Sequence, residues 1–259
     1  MKVVILCGGM GTRLREETEF MPKPMVTVGE RPMLWHIMKI YSHYGFNEFV
    51  LCLGYKGDHI RRYFLEYDVL NCDVTVDLGT KEIIRHDRTH DEHNWRVTLA
   101  ETGQATMTGG RIQRALRYVD DDTFLATYGD GVADVNINAL VAFHRSHGRL
   151  ATVTAVQPSP RFGRIELDDT KQLVREFSEK PVGSEAWING GFFVFDRRIT
   201  RYLDGDSCVL EQGPLVRLAE EGQLAVFRHR GYWQCVDTLR DLQALNDDWA
   251  RGDAPWKIW

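Results

Sequence analysis

The chain has 259 residues, of which 43% are hydrophobic and 27% charged, and its formal net charge is −5. These values suit a folded protein that buries one sheet with flanking helices, and they exclude a largely disordered chain. They also exclude a protein whose main partner is nucleic acid, because that binding needs a broad basic surface; an anion site here must be basic only locally.

In chain order, Val3–Cys7 is the first apolar run. It is too short for a membrane span or a signal peptide, and it reads as a buried first strand. Cys7 is one of five cysteines, with Cys52, Cys72, Cys208 and Cys235. An odd set without a C-x-x-C pair, several within apolar runs, predicts free thiols and a cytoplasmic protein.

Phe49–Leu53, Thr123–Thr127 and Ala151–Val156 repeat the pattern of strands buried on both faces, which predicts parallel pairing. Amphipathic helices are expected at Pro32–Tyr44, Asp58–Tyr67, Gly110–Val119 and Ile137–His147. Pro32 stands at a first helical position and Gly45 as a terminator. This alternation predicts an α/β fold with a mostly parallel, doubly wound sheet. Residues 79–96 lose apolar content while His86, His90 and His93 crowd with acidic residues, so an exposed loop or flap is expected. The histidine spacing fits no structural zinc site.

The second half is richer in short strands, at Arg164–Leu167, Leu173–Phe177, Gly191–Phe195 and Leu224–Phe227. A final helix, Thr238–Ala250, opens with a capping box formed by Thr238 and Asp241. Without linker or repeat, residues 1–259 are expected to form one domain, with a first half (1–150) and a more β-rich second half (151–259) that holds a substrate region.

Several segments carry chemistry. Gly8-Gly9-Met10-Gly11-Thr12-Arg13 follows the first strand; its backbone amides can approach a polyphosphate, and Arg13 adds a bidentate phosphate partner. It is neither G-x-G-x-x-G nor a G-x-x-x-x-G-K-[ST] loop. Pro22-Lys23-Pro24-Met25 holds a lysine between two restrained prolines. Thr106 to Arg111 sets hydroxyls, glycines and an arginine at a helix start. Tyr128-Gly129-Asp130-Gly131 puts a carboxylate at the end of a central strand, where open α/β sheets bind ligands. Magnesium takes one or two carboxylates and completes its shell with phosphate and water, so Asp130 is a candidate ligand with Asp237 as the second. Glu179-Lys180-Pro181 and Asn189-Gly190-Gly191 suit a phosphorylated sugar. Each alone also reads as an ordinary turn or cap.

Together, Gly8 to Leu14 and Pro22 to Met25 resemble the G-G-x-G-T-R-L and P-K-P-M signature of sugar-1-phosphate nucleotidyltransferases. Gly129-Asp130-Gly131, Glu179-Lys180-Pro181, Asn189-Gly190-Gly191 and Trp233-x-x-x-Asp237-Thr238 follow in the family's order. Arg15 to Thr18, Met107 to Arg111, Tyr128 to Asp134 and Ala254 to Lys257 are similar to the glucose-1-phosphate cytidylyltransferase branch.

The resemblance implies a nucleotidyltransferase fold and transfer of CMP from CTP to α-D-glucose 1-phosphate with Mg2+. It implies Leu6, Cys7, Gly8, Gly9, Met10, Gly11, Thr12 and Gly129 around the nucleotide, with Arg13 and Lys23 on its phosphates and Thr106 and Arg111 beside it. It implies Asp130 and Asp237 on the metal, and Glu179, Lys180, Asn189 and Gly190 on the sugar phosphate. Arg13, Lys23, Asp130, Lys180 and Asp237 are its catalytic set. A homo-oligomer, trimer or hexamer, is expected, with no nucleic acid or membrane partner. Another base or sugar, or a catalytically silent regulatory subunit, remains open at this point.

Overall fold

A computed structural model of the protein describes residues 1–9, 18–88, 91–158, 164–168, 173–178 and 186–259. Its centre is a seven-stranded sheet, with β1 Val3–Leu6, β2 Glu48–Leu53, β3 Arg96–Glu101, β4 Thr123–Tyr128, β5 Ala151–Val156, β6 Ile188–Asp196 and β7 Leu224–Arg228. The order across the sheet is β7-β5-β6-β4-β1-β2-β3. Strand β1 runs parallel to β2 and β4, β2 parallel to β3, and β5 parallel to β7. Strand β6 enters antiparallel between β4 and β5. Ala151–Val156 is therefore parallel to one neighbour and antiparallel to the other.

Alternation along β1 shows why these strands read as continuous apolar runs. Val3 and Ile5 face one core with Phe49, Leu51, Leu125 and Phe192, whereas Val4 faces the other with Val50, Phe124 and Ala126. The sheet is buried on both faces, so the middles of its central strands exclude water while their ends, such as Tyr128 and Asn189, are partly open.

Helices cover the two faces. Helix α1 (Met33–His43) buries Met33, Leu34, Ile37, Met38, Ile40 and Tyr41. Pro32 precedes its first turn as the capping residue rather than occupying it. Gly45, at φ 85°, turns the chain out of the helix in a conformation that costs glycine little. Helix α2 (Gly57–Leu65) and the single turn Tyr67–Leu70 stand where one helix was expected. Helix α3 (Thr108–Ala115) begins two residues earlier than expected and tightens into a 3-10 turn, Leu116–Tyr118. Helix α4 (Ile137–His147) has the expected bounds; Asn136 caps it by accepting from the Ala139 amide at 2.9 Å. In helix α5 (Leu239–Ala250) the capping box is formed, the Asp241 amide donating to Thr238 Oγ1 at 3.2 Å and the Thr238 amide donating to Asp241 Oδ2 at 2.9 Å.

The polar segment is more ordered than an exposed loop. Cys72–Val76 and Ile83–Arg88 form an antiparallel hairpin, and β3 starts at Arg96. Glu92, in a 3-10 turn, is buried; it accepts from Trp35 Nε1 at 3.1 Å and faces Lys39 Nζ at 3.4 Å. His90 lies outside the described residues. All five cysteines are free, with Cys7 and Cys52 buried. Among the described residues, no helix is long and apolar enough to cross a membrane.

Candidate active site

Strand order reverses between β1 and β4, and open sheets of this kind have a crevice at the carboxyl ends of the strands flanking the reversal. Cys7, Gly8 and Gly9 leave β1 there, while Gly129 and Asp130 leave β4. The Gly129 amide donates to the Leu6 carbonyl at 3.1 Å, so the two exits lie side by side.

Lys23 approaches from a separate loop. Its 3-10 turn, Lys23–Met25, is closed by the Met25 amide donating to the Pro22 carbonyl at 2.8 Å. Pro24 is buried against Gly129, where a β-carbon would meet Pro24 Cγ at 2.8 Å and the Leu6 carbonyl at 3.0 Å. Glycine at 129 thus lets the lysine loop seat on the strand ends.

Asp237 arrives by a third route. Trp233–Cys235 pairs antiparallel with Gly131–Ala133, Cys235 opposite Gly131, and the Val236 amide donates to the Asp130 carbonyl at 2.9 Å. Two residues beyond that ladder, Asp237 stands just before the Thr238 cap of α5, where the helix dipole favours a carboxylate.

These three routes converge on one ammonium. Lys23 Nζ donates to Asp130 Oδ2 at 2.7 Å and to Asp237 Oδ1 at 2.9 Å, its own side chain only 13% exposed. Burial alone would lower the lysine pKa, but the two carboxylates, Asp130 foremost, more than offset it and raise it above the ordinary value. The Cys235 thiol donates to Asp237 Oδ2 at 3.7 Å; burial first, and then Asp237, push that thiol up to about 12, so it stays protonated.

Two carboxylates sharing one cation fit a divalent ion. No group of three or more His, Cys, Asp and Glu is assembled among the described residues, so other ligands would have to come from substrate and water, as magnesium typically accepts.

Two cavities meet at this point. One, of about 470 Å³, is lined by the expected nucleotide residues Leu6, Cys7, Gly8, Gly9, Lys23, Thr106, Arg111 and Gly129, together with Gln104. The other, of about 690 Å³, is lined by Asn189 and Gly190 from the expected sugar set, with Tyr128, Glu211 and Trp233. Tyr128, Asp130 and Asp237 belong to both walls. Met10, Gly11, Thr12, Arg13, Glu179 and Lys180 lie outside the described residues.

Arg111 is brought to the nucleotide-side cavity, but most of its donors serve the protein. One terminal nitrogen donates to the Leu53 carbonyl at 3.0 Å and Thr102 Oγ1 at 2.8 Å; the other donates to the Gly8 carbonyl at 3.0 Å and the Gln104 carbonyl at 3.3 Å. A β-carbon on Gly8 or Gly54 would collide with this guanidinium. At Gly8, then, the missing side chain admits an arginine that ties β1, β2 and the Thr102–Gln104 loop together, a reason the sequence does not reveal.

Trp233 and Glu211 were not foreseen as site residues. Trp233 Nε1 donates to the Gly190 carbonyl at 2.8 Å and fixes the rim of the larger cavity. Its place in the Trp233 to Thr238 motif was a usable signal. Glu211 sits in a loop with no motif around it, and no local pattern marks it.

The chain is similar to known proteins along nearly its whole length. Residues 2–251 match the nucleotidyl transferase family. The chain is 49% identical to the glucose-1-phosphate cytidylyltransferase of Salmonella typhi and 45% identical to a probable glucose-1-phosphate cytidylyltransferase of Bacillus subtilis (strain 168), each over 100% of both chains. Among solved structures, HddC from Yersinia pseudotuberculosis complexed with GMP-PN is similar in fold, with a TM-score of 0.67 at 21% identity over 96% of this chain and 99% of that one. With the family matched along nearly its whole length, the chain belongs to the nucleotidyl transferases.

Proposed function

We propose that the chain transfers the cytidylyl group of CTP to α-D-glucose 1-phosphate, giving CDP-glucose and pyrophosphate, with Mg2+ as the resident cation. The observation that carries this reading is the meeting of two cavities at Asp130 and Asp237, with Lys23 bonded to both, because the reaction must bring two anionic substrates end to end beside one cation site. Full-length similarity to glucose-1-phosphate cytidylyltransferases supports the choice of base and sugar.

A phosphate oxygen of glucose 1-phosphate forms the new bond to the α-phosphorus of CTP. The bond from that phosphorus to the α,β-bridging oxygen breaks, and its electrons leave with pyrophosphate. A phosphate monoester has a second pKa of about 6, so the attacking oxygen needs no general base at neutral pH. The protein's task is alignment and charge neutralisation. Lys23 offsets negative charge where the cavities join, and Asp130 and Asp237 are the residues that would hold the metal. A bound divalent ion supplies neutralisation of the triphosphate and the leaving pyrophosphate. Arg13 is proposed for the triphosphate, Lys180 and Glu179 for the sugar phosphate, and Asn189 for a sugar hydroxyl.

Pyrophosphate release from five nucleoside triphosphates, each paired with glucose, galactose and mannose 1-phosphates, tests the reading. CTP with glucose 1-phosphate should turn over fastest, and Asp130→Ala or Asp237→Ala should abolish Mg2+-dependent release in a folded protein. Faster turnover of another pair would replace the substrate assignment, and full activity in either variant would remove the aspartates from the site. The proposal extends to a cytoplasmic homo-oligomer. Leu78, Ile83 and Ile84 expose apolar surface on the hairpin that a second copy could cover. A monomer in sedimentation experiments would count against that part.

A further inference from the structure

A directed series of hydrogen bonds runs from Thr108, on the wall of the smaller cavity, to Asn189, on the wall of the larger. The Leu210 amide donates to Thr108 Oγ1 at 2.9 Å, and that hydroxyl donates to Glu211 Oε2 at 2.8 Å. From the other side, Tyr128 OH donates to Glu211 Oε1 at 2.5 Å, and Asn189 Nδ2 donates to the Tyr128 oxygen at 3.1 Å. Asn189 Oδ1 accepts from the Gly191 amide at 2.8 Å.

Each bond has only one consistent sense. Backbone amides at both ends can only donate, and an ionised carboxylate can only accept. The Thr108 and Tyr128 hydrogens therefore both point at Glu211. The phenol oxygen is left as an acceptor and takes one hydrogen of the Asn189 amide, whose oxygen is turned to the Gly191 amide. Turning the Asn189 amide over would set its NH2 against the Gly191 N–H. A phenol is protonated at neutral pH, so Tyr128 keeps the hydrogen this arrangement needs.

Glycine at 191 completes the set. It adopts φ 82°, and a β-carbon there would meet the Tyr128 ring at 2.7 Å. The strand backbone can then come close enough to pin Asn189 from below.

We propose that Glu211 is a positioning residue for the sugar phosphate: it orients the Tyr128 hydroxyl, and through it holds the Asn189 amide nitrogen as a hydrogen-bond donor facing the cavity. The site then selects a sugar oxygen able to accept at that point. This rests on reading the larger cavity as the sugar-phosphate side.

The test is Glu211→Gln, which keeps the shape but introduces a donor where two hydroxyls already point. The expected result is a KM for glucose 1-phosphate raised about five- to tenfold, the effect of losing about one well-made hydrogen bond. The KM for CTP should stay within about twofold by the same reasoning, since Glu211 and Asn189 line only the larger cavity and no CTP contact is assigned to either. Tyr128→Phe should raise the same KM, and the double variant should add little, because both substitutions break one series.

Asn189→Ala separates two kinds of failure. If it raises the sugar-phosphate KM while Glu211→Gln and Tyr128→Phe do not, the positioning role is overturned and the cavity assignment survives. If Asn189→Ala also leaves that KM unchanged, both are overturned. An equal rise in both substrates' KM in Glu211→Gln would show a general structural defect and would equally refute the proposal. Should Glu211→Gln fail to fold, Tyr128→Phe, which removes the hydroxyl linking Glu211 to Asn189, decides by the same readout.

Discussion

Replacing Lys23 with methionine keeps most of the side-chain stem and removes the charge that Asp130 and Asp237 share. The two accepting oxygens lie 2.7 Å and 2.9 Å from the ammonium nitrogen, so they are close to each other. At a separation of about 5 Å and an effective dielectric of about 20, their repulsion is roughly 3 kcal/mol. The aspartate side chains are 32% and 24% exposed, which moderates the cost of two unpaired charges to about 2–3 kcal/mol. For a chain of this size that lowers Tm by about 4–12 °C.

Mg2+ should restore the loss in Lys23→Met, because the carboxylates regain a cation and a ligand that binds only the folded state stabilises it. In the unsubstituted protein the lysine competes, so Mg2+ alone should raise Tm less. Thermal unfolding without nucleotide, with and without millimolar Mg2+ at constant ionic strength, reads both effects. Equal Tm values in the absence of Mg2+, or equal Mg2+ shifts in the two proteins, would refute the reasoning. Since the folded pKa of Lys23 is raised, its contribution is present below the ordinary lysine value of 10.5 and is lost as pH rises through the folded value. Lys23→Met should lack that alkaline loss.

Gly129→Ala forces a β-carbon against the Pro24 ring and the Leu6 carbonyl, neither of which can swing away. An overpacking cost of about 1–3 kcal/mol is expected, with reduced pyrophosphate release as the Lys23 loop is displaced; urea unfolding and an activity assay check it, and unchanged values in both would exclude the packing argument. His36, fully buried, has its Nε2 2.9 Å from the Val28 carbonyl and its pKa lowered by burial from 6.5 to about 4. The unfolded chain binds a proton in that window that the folded one does not, so stability should fall as pH drops through 6.5 toward 4, by about 2 kcal/mol between pH 7 and 5 from this residue. Urea midpoints across that range should show a shallower fall in His36→Gln; an identical slope would exclude His36 as the cause.

Where local chemistry decides structure, this sequence reads directly. Ile137–His147 and Ala151–Val156 have the bounds expected from apolar periodicity, and Thr238 with Asp241 forms the capping box because all its partners lie within three residues. Strand β3 was missed because Arg96–Glu101 lies at the sheet edge and lacks an apolar run. Glycines at 8 and 129 were legible as a motif, but their reasons lie in Arg111 and Pro24, which approach from distant segments.

Tertiary structure alone decided that β6 would enter antiparallel between β4 and β5, and that Lys23 would meet carboxylates 107 and 214 residues away. It also set Glu211 beside Tyr128, 83 residues away. Propensity, capping and turn chemistry act over a few residues and are written in the chain. Which strand ends lie side by side is set by how the whole apolar sheet is covered, and the positions of these charges follow from that packing.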